Sequence, residues 1–196
     1  QASLNVRLFV ALEIPAAVRD NLAALLKDLR VLSAQLADKR ARWVRPENLH
    51  VTLKFIGEAA PEKLDGIRAA LAKIRSDVPV ELQFQGLGFF PNAAHPRVLW
   101  AGVQASTNLA TLAADVDGAL ETQGFAREGR ALTPHLTLAR FEPPGLHEKL
   151  RGAIEERATL AFGSCKAREF HLIESRLKSS GAEYTSLATF RFTSEP

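Results

Sequence analysis

Two short runs of this chain carry the same pair of reactive side chains at the same spacing: Leu49-His50-Val51-Thr52-Leu53 and Pro134-His135-Leu136-Thr137-Leu138. Both are β-type runs, and residues two apart in a strand share a face. His50 and Thr52 therefore point one way, with Val51 and Leu53 behind them. His135 and Thr137 repeat the arrangement over Leu136 and Leu138. Each run offers one imidazole and one hydroxyl in front and an apolar back that anchors it in a core.

A pair of imidazoles suits a reaction that needs a base and an acid in one turnover. With an unperturbed pKa of ~6.5, one ring can be neutral and the other protonated near pH 7. The neutral ring can take a proton from an attacking water, and the charged ring can give one to a departing oxygen. In-line displacement at phosphorus needs these groups on opposite sides of the phosphorus. The two hydroxyls would donate hydrogen bonds to the non-bridging oxygens, where negative charge sits. A cyclic phosphodiester fits, since it is strained and its leaving hydroxyl stays tethered. The imidazoles and hydroxyls supply what a metal would otherwise provide, so the reading needs no metal and no cofactor.

The elements that must position these runs follow from periodicity. A strand is expected over Val6–Glu13, then a long amphipathic helix from Pro15 with Val18, Leu22, Leu25, Leu26, Leu29, Leu32 and Leu36 at helical spacing. Residues 39–45 form a basic connector holding Trp43. The first His-x-Thr strand ends near Gly57, and a helix opens at Pro61 and stops by Pro79. Val80, Leu82 and Phe84 alternate as a half-buried strand, and 86–96 is a loop rich in Gly, Pro and Phe. The order then restarts: strand 97–103, helix from Leu109 to Leu120, loop 124–131, the second His-x-Thr strand, a short helix from Leu146, and strand 169–175. A terminal strand covers 184–192. Arg7 recurs as Arg97, His50 as His135 and Glu81 as Glu169, offsets of 85 to 90 residues. This argues for one domain over 1–196 built by internal duplication, approximately 6–90 and 97–176. If the halves pack about a pseudo-twofold axis, the two imidazoles face each other.

Composition narrows the class. The chain has 196 residues, 46% hydrophobic and 24% charged, with a formal net charge of +3, ordinary for a globular protein with a mild leaning toward phosphate-bearing partners. Cys165 is the only cysteine, which rules out an intramolecular disulfide and fits a reducing, cytoplasmic setting. No apolar run approaches the ~20 residues of a membrane helix, and no signal peptide is visible. The sequence holds no Met, so nothing is drawn from Gln1.

The motifs His50-Val51-Thr52-Leu53 and His135-Leu136-Thr137-Leu138 resemble the paired signatures of the 2H phosphoesterase superfamily. Residues Arg42-Trp43-Val44-Arg45-Pro46-Glu47-Asn48-Leu49, Thr133-Pro134 and Ala139-Arg140 resemble its RNA 2′,3′-cyclic phosphodiesterase branch, also called the 2′-5′ RNA ligase or LigT-like family. The resemblance runs from Arg7-Leu8-Phe9 through Glu174-Ser175-Arg176-Leu177 to Tyr184-Thr185. Element order alone suggests a parallel doubly wound sheet. The resemblance implies instead a bilobal α+β fold, with an antiparallel sheet in each lobe, helices outside and the site in the cleft between. It implies opening of a terminal 2′,3′-cyclic phosphate to a 2′-phosphate, with His50 as proton donor, His135 as proton acceptor, and Thr52 and Thr137 holding the phosphate. With an RNA 5′-hydroxyl in place of water, the same site would join ends 2′-5′. The implied partners are RNA or oligonucleotide ends bearing a cyclic phosphate, tRNA fragments among them, with no membrane and no obligate protein partner. Nothing in the sequence suggests more than a monomer.

Arg140 matches a phosphate-contacting arginine of that family, yet it lies five residues after His135. An unbroken strand would point it away from the cleft, so it needs a strand end or a bulge. Lys54 has the parity to share the face of His50; its other role is a solvated strand-end charge. Trp43 and Arg45 offer flat groups for stacking on a nucleobase, against core cover for Trp43. Phe9 and Tyr184 line the cleft by resemblance, with core packing the stronger role for Phe9, and Arg130 stands where it could meet backbone phosphates. His95, His147 and His171 lack the following Thr and read as loop, helix-start and strand-surface residues. Cys165 reads as structural, and Gly86-x-Gly88 is too weak for a nucleotide fingerprint. Two rival readings remain: a non-catalytic nucleotide or RNA-end binder on the same scaffold, and a structural domain whose paired histidines bond each other in a core.

Overall fold

The chain folds into two antiparallel sheets that share one apolar core. The structure, a computed structural model, describes residues 4–193; the first and last three residues of the expected 1–196 unit lie outside the described residues. In chain order the elements are β1 (Val6–Glu13), α1 (Ala16–Gln35), β2 (Ala41–Trp43), β3 (His50–Ala59), α2 (Leu64–Leu71), β4 (Val80–Phe90), β5 (Val98–Ala105), α3 (Asn108–Glu121), β6 (His135–Phe141), α4 (Glu148–Glu155), β7 (Ala161–Ala167), β8 (Glu169–Lys178) and β9 (Gly181–Arg191). One sheet has the order β3-β1-β8-β9 and the other β2-β6-β5-β4-β7.

Every strand pair is antiparallel, which overturns the parallel sheet that element order suggests. The reason lies in α1. It starts behind Pro15, whose extended backbone ends β1, and buries Val18, Leu22, Leu25, Leu26 and Leu29. That stripe packs against β2, β7 and α4 of the other sheet. The chain thus lays down β2 there before β3 returns beside β1. Similarly, α3 follows β5 of the second sheet but packs against β3 of the first. Each sheet contains strands from both halves of the chain: β8 and β9 join β1 and β3 in the first, and β2 and β4 join β5, β6 and β7 in the second. Phe84, Leu99, Leu12, Leu29 and Phe170 are all buried in the shared core, each such burial contributing roughly 1.5–3 kcal/mol.

Several boundaries differ from the periodicity reading. The basic connector contains β2, three residues that pair with β6. The strand begun at Val80 continues through Gly86 to Phe90. Gly86, at φ 84°, sits in a register shift and bends the strand without ending it. The second helix stops at Leu71, well before Pro79. β7 (Ala-Phe-Gly-Ser-Cys-Lys-Ala) has little β-forming composition and forms because it borders β4. The last strand begins at Gly181 and ends at Arg191.

The two motif strands share one irregularity. In β3, Thr52 pairs with Ala11 and Lys54 with Val10, so Leu53 is an extra residue without a partner. In β6, Thr137 pairs with Trp100 and Ala139 with Leu99, so Leu138 is extra. Each bulge falls three residues after the histidine and places two consecutive side chains on the core side: Leu53 with Lys54, and Leu138 with Ala139. The front face resumes at Phe55 and at Arg140.

Candidate active site

Residues of β3 and β6 come within 8 Å of each other, Cα to Cα, so the two motif strands meet at the seam between the sheets. On the first sheet, Phe9, Ala11 and Glu13 of β1 share the face of His50 and Thr52. The Phe9 ring lies 6.2 Å from that of His50, edge-on, and 4.9 Å from Tyr184; Tyr184 lies 5.9 Å from His50. Phe9, Ala11, Ile173 and Tyr184 pack together as a small apolar patch under the imidazole. On the second sheet, Gly102, Trp100 and Val98 of β5 pair with His135, Thr137 and Arg140.

The two imidazoles are held alike. His50 Nδ1 lies 3.0 Å from the carbonyl oxygen of Asn48, and His135 Nδ1 lies 3.0 Å from that of Thr133. A carbonyl only accepts, so each Nδ1 carries a hydrogen and donates it. That fixes the tautomer and leaves each Nε2 as the nitrogen that can take up or give a proton. Neither Thr52 nor Thr137 has a hydroxyl partner among the described residues. Their surroundings differ: His50 is half-buried and His135 exposed. Burial pushes the His50 pKa below the ordinary imidazole value, while the Asn48 carbonyl and the Glu13 charge oppose that shift.

The other sequence-selected residues divide. Tyr184 sits in the cleft, and burial raises its phenol pKa against the pull of Arg140 and Arg7. Arg140, from the second sheet, therefore acts on Tyr184, from the first. The bulge at Leu138 supplies the break that Arg140 needs to reach this face. Phe9 is 5% exposed and packs beneath His50, in the cleft-side patch and not in the main core. Arg130 is exposed in the loop before β6.

Lys54 does not share the face of His50, and it is not a solvated charge. The bulge at Leu53 turns it inward, where it is buried and lies 2.5 Å from Asp117 of α3 and 2.7 Å from the Ala126 carbonyl. Trp43 pairs with Ala139, a core residue, so it covers the core from the far side. Arg45 donates to the Ser180 carbonyl, and Asn48 donates to that of Ala182 at 2.8 Å. Both tie the segment before the first motif to the β8–β9 turn. His171 is not a surface residue: β8 is an inner strand, and the ring is 4% exposed, with Nδ1 3.0 Å from the Thr189 hydroxyl. Its Nε2 lies 3.8 Å from Glu13 and 3.7 Å from Glu169.

Three front-face residues are not among the site residues that the sequence singles out, although Arg42 opens the run that carries the family resemblance. Phe55 is 69% exposed beside Phe9, at 6.1 Å between rings. Trp100 lies over Gly88, where a Cβ would collide with its indole. Arg42 pairs directly with Arg140. The Arg97-Val98-Leu99-Trp100 alternation was a usable signal for Trp100; nothing local announced Phe55.

Two facing strands with matched His-x-Thr motifs, at the seam of a bilobal antiparallel α+β fold, define a phosphoesterase of the two-histidine class. The family model of LigT-like phosphoesterases matches residues 12–100 and 102–184, and the chain belongs to that family. It is 34% identical to an Archaeoglobus fulgidus RNA 2′,3′-cyclic phosphodiesterase over 94% of this chain and 99% of that protein. It is 33% identical to the protein of the same name from Methanothermobacter thermautotrophicus, over 96% of this chain and all of that one. Among solved structures, Escherichia coli LigT complexed with 3′-AMP superposes with a TM-score of 0.70 at 26% identity, covering 97% of this chain and 99% of that one.

Proposed function

We propose that this protein hydrolyses a terminal 2′,3′-cyclic phosphate on RNA to a 2′-phosphate, without a metal. His135 Nε2 takes a proton from water as the water oxygen bonds to phosphorus. Protonated His50 gives its Nε2 proton to the 3′ oxygen as the P–O3′ bond breaks. Thr52 and Thr137 donate to the non-bridging oxygens, and Arg140 balances the charge that builds there. Burial favours neutral His50 in the free cleft. The negative phosphate, once bound, restores the charged form that an acid requires. With a 5′-hydroxyl as nucleophile the same steps form a 2′-5′ bond.

The observation that carries this reading is the matched pair of Nδ1–H donors to Asn48 and Thr133, which leaves two Nε2 atoms of fixed tautomer on adjoining strands. A binding module has no need of two such oriented titrating groups. The relatives named for this activity agree with it. The test is incubation with an oligonucleotide ending in a 2′,3′-cyclic phosphate, followed by identification of the oxygen that keeps the phosphate. A 2′-phosphate product supports the proposal; tight binding without turnover between pH 5 and 9 refutes it.

A further inference from the structure

Arg42 and Arg140 stand directly opposite each other on neighbouring strands, β2 and β6, on the cleft face. Like charges so placed repel and weaken the pairing. Both are exposed, and neither has a carboxylate or hydrogen-bond partner among the described residues. By contrast, Arg40, just before β2, is bound by Asp38, and Arg45, just after it, by Ser180. The fold leaves this pair of guanidinium groups uncompensated among the described residues, and it does so through the Leu138 bulge that brings Arg140 to the front.

The position of the pair selects its ligand. Thr137 and Arg140 are partnered on β5 by Trp100 and Val98, two residues apart, so the pair lies about 7 Å along the sheet from the motif hydroxyl. That is comparable to the step from one backbone phosphate to the next in a single strand. We propose that Arg42, beside Arg140 on the outer strand, binds the phosphodiester immediately 5′ of the terminal cyclic phosphate, while Arg140 stays with the reacting phosphate. The preferred substrate is then an oligonucleotide end and not a cyclic mononucleotide. This rests on the cyclic-phosphate reading above and deepens it.

The test uses the full-length protein and two dinucleotides ending in a 2′,3′-cyclic phosphate. One has a normal internucleotide phosphodiester and the other an uncharged methylphosphonate. A charge-assisted contact to that phosphate makes kcat/KM of the unaltered protein about 10- to 100-fold higher on the charged link. Arg42→Ala abolishes most of this discrimination. It also flattens the dependence of log kcat/KM on log salt by ~0.7 for the charged substrate. Equal rates on the two links in the unaltered protein overturn the subsite even if the variant fails to fold. An equal loss on both substrates in Arg42→Ala overturns it as well, by making Arg42 merely structural. Absence of turnover on either dinucleotide refutes the underlying activity and the subsite with it, whereas turnover without discrimination refutes the subsite alone.

Discussion

Leu53 and Leu138 occupy the same place in their strands: each is the unpaired residue of a bulge three positions after a histidine. The consequences diverge at the next two positions. After Leu53 come Lys54, buried against Asp117, and Phe55, exposed in front. After Leu138 come Ala139, buried in the core, and Arg140, exposed in front. One side of the cleft thus acquires an aromatic ring where the other acquires a guanidinium.

The proton-transfer roles predict large losses from small changes. His50→Ala and His135→Ala should each lower single-turnover rates on a cyclic-phosphate oligonucleotide by ~10²–10⁴-fold. The double variant should be little worse than the poorer single, because the two act as a unit. Thr52→Ala and Thr137→Ala should cost less. Excess EDTA should leave the rate of the unaltered protein unchanged; a loss restored by a divalent metal would contradict the mechanism.

Glu13 should tune His50. It pairs with His50 across β1 and β3, and its charge favours the imidazolium against the burial that disfavours it. Glu13→Gln removes only the favourable part, so the His50 pKa should fall further. An NMR titration of the ring reads this directly. In the pH profile of kcat/KM, the limb belonging to protonated His50 should move to lower pH by the same amount.

Asp38 should contribute stability above pH 4 and lose it in acid. Its carboxylate accepts from Arg40 at 2.9 and 3.0 Å and from the His147 backbone N–H at 2.6 Å. Led by the Arg40 side-chain contact, these bonds hold its pKa at about 2, against 3.8 unperturbed. A carboxylate depressed in the folded state stabilises above its unfolded pKa and loses that contribution as pH falls through the folded one. The shift corresponds to about 2 kcal/mol. Asp38→Asn should lose about that much at pH 7 in urea unfolding, and its stability should vary less between pH 5 and pH 2.

Lys54 should matter to stability and not to chemistry. Its side chain is 5% exposed and that of Asp117 13%. Lys54→Ala leaves a largely buried carboxylate without its partner, at a cost of about 3–5 kcal/mol. Replacing both with apolar residues should be far milder, as a double-mutant cycle by denaturant unfolding would measure. Below its unfolding transition, Lys54→Ala should keep its rate per folded molecule.

Period-2 alternation made the motif faces legible: His50 with Thr52 and His135 with Thr137 needed only strand geometry. The same rule misplaced Lys54 and left Arg140 unexplained, because a bulge adds a residue without any marker in Leu53 or Leu138. β2 and β7 escaped because three residues are too few for a pattern, and because Ala161 to Ala167 draws its strand character from its neighbour β4. The mutual arrangement of helices and sheets was illegible for a further reason. Whether α1 lies behind its own sheet or the other depends on where the chain crosses over, which the stripe on α1 does not encode.

That crossing has a mechanical meaning. With β8 inside one sheet and β4 inside the other, severing the chain in the 91–96 segment would yield two fragments, neither owning a complete sheet. Each would be an unpaired template until it met its complement, so the enzyme could be reconstituted from two separately produced pieces, its turnover reporting their encounter.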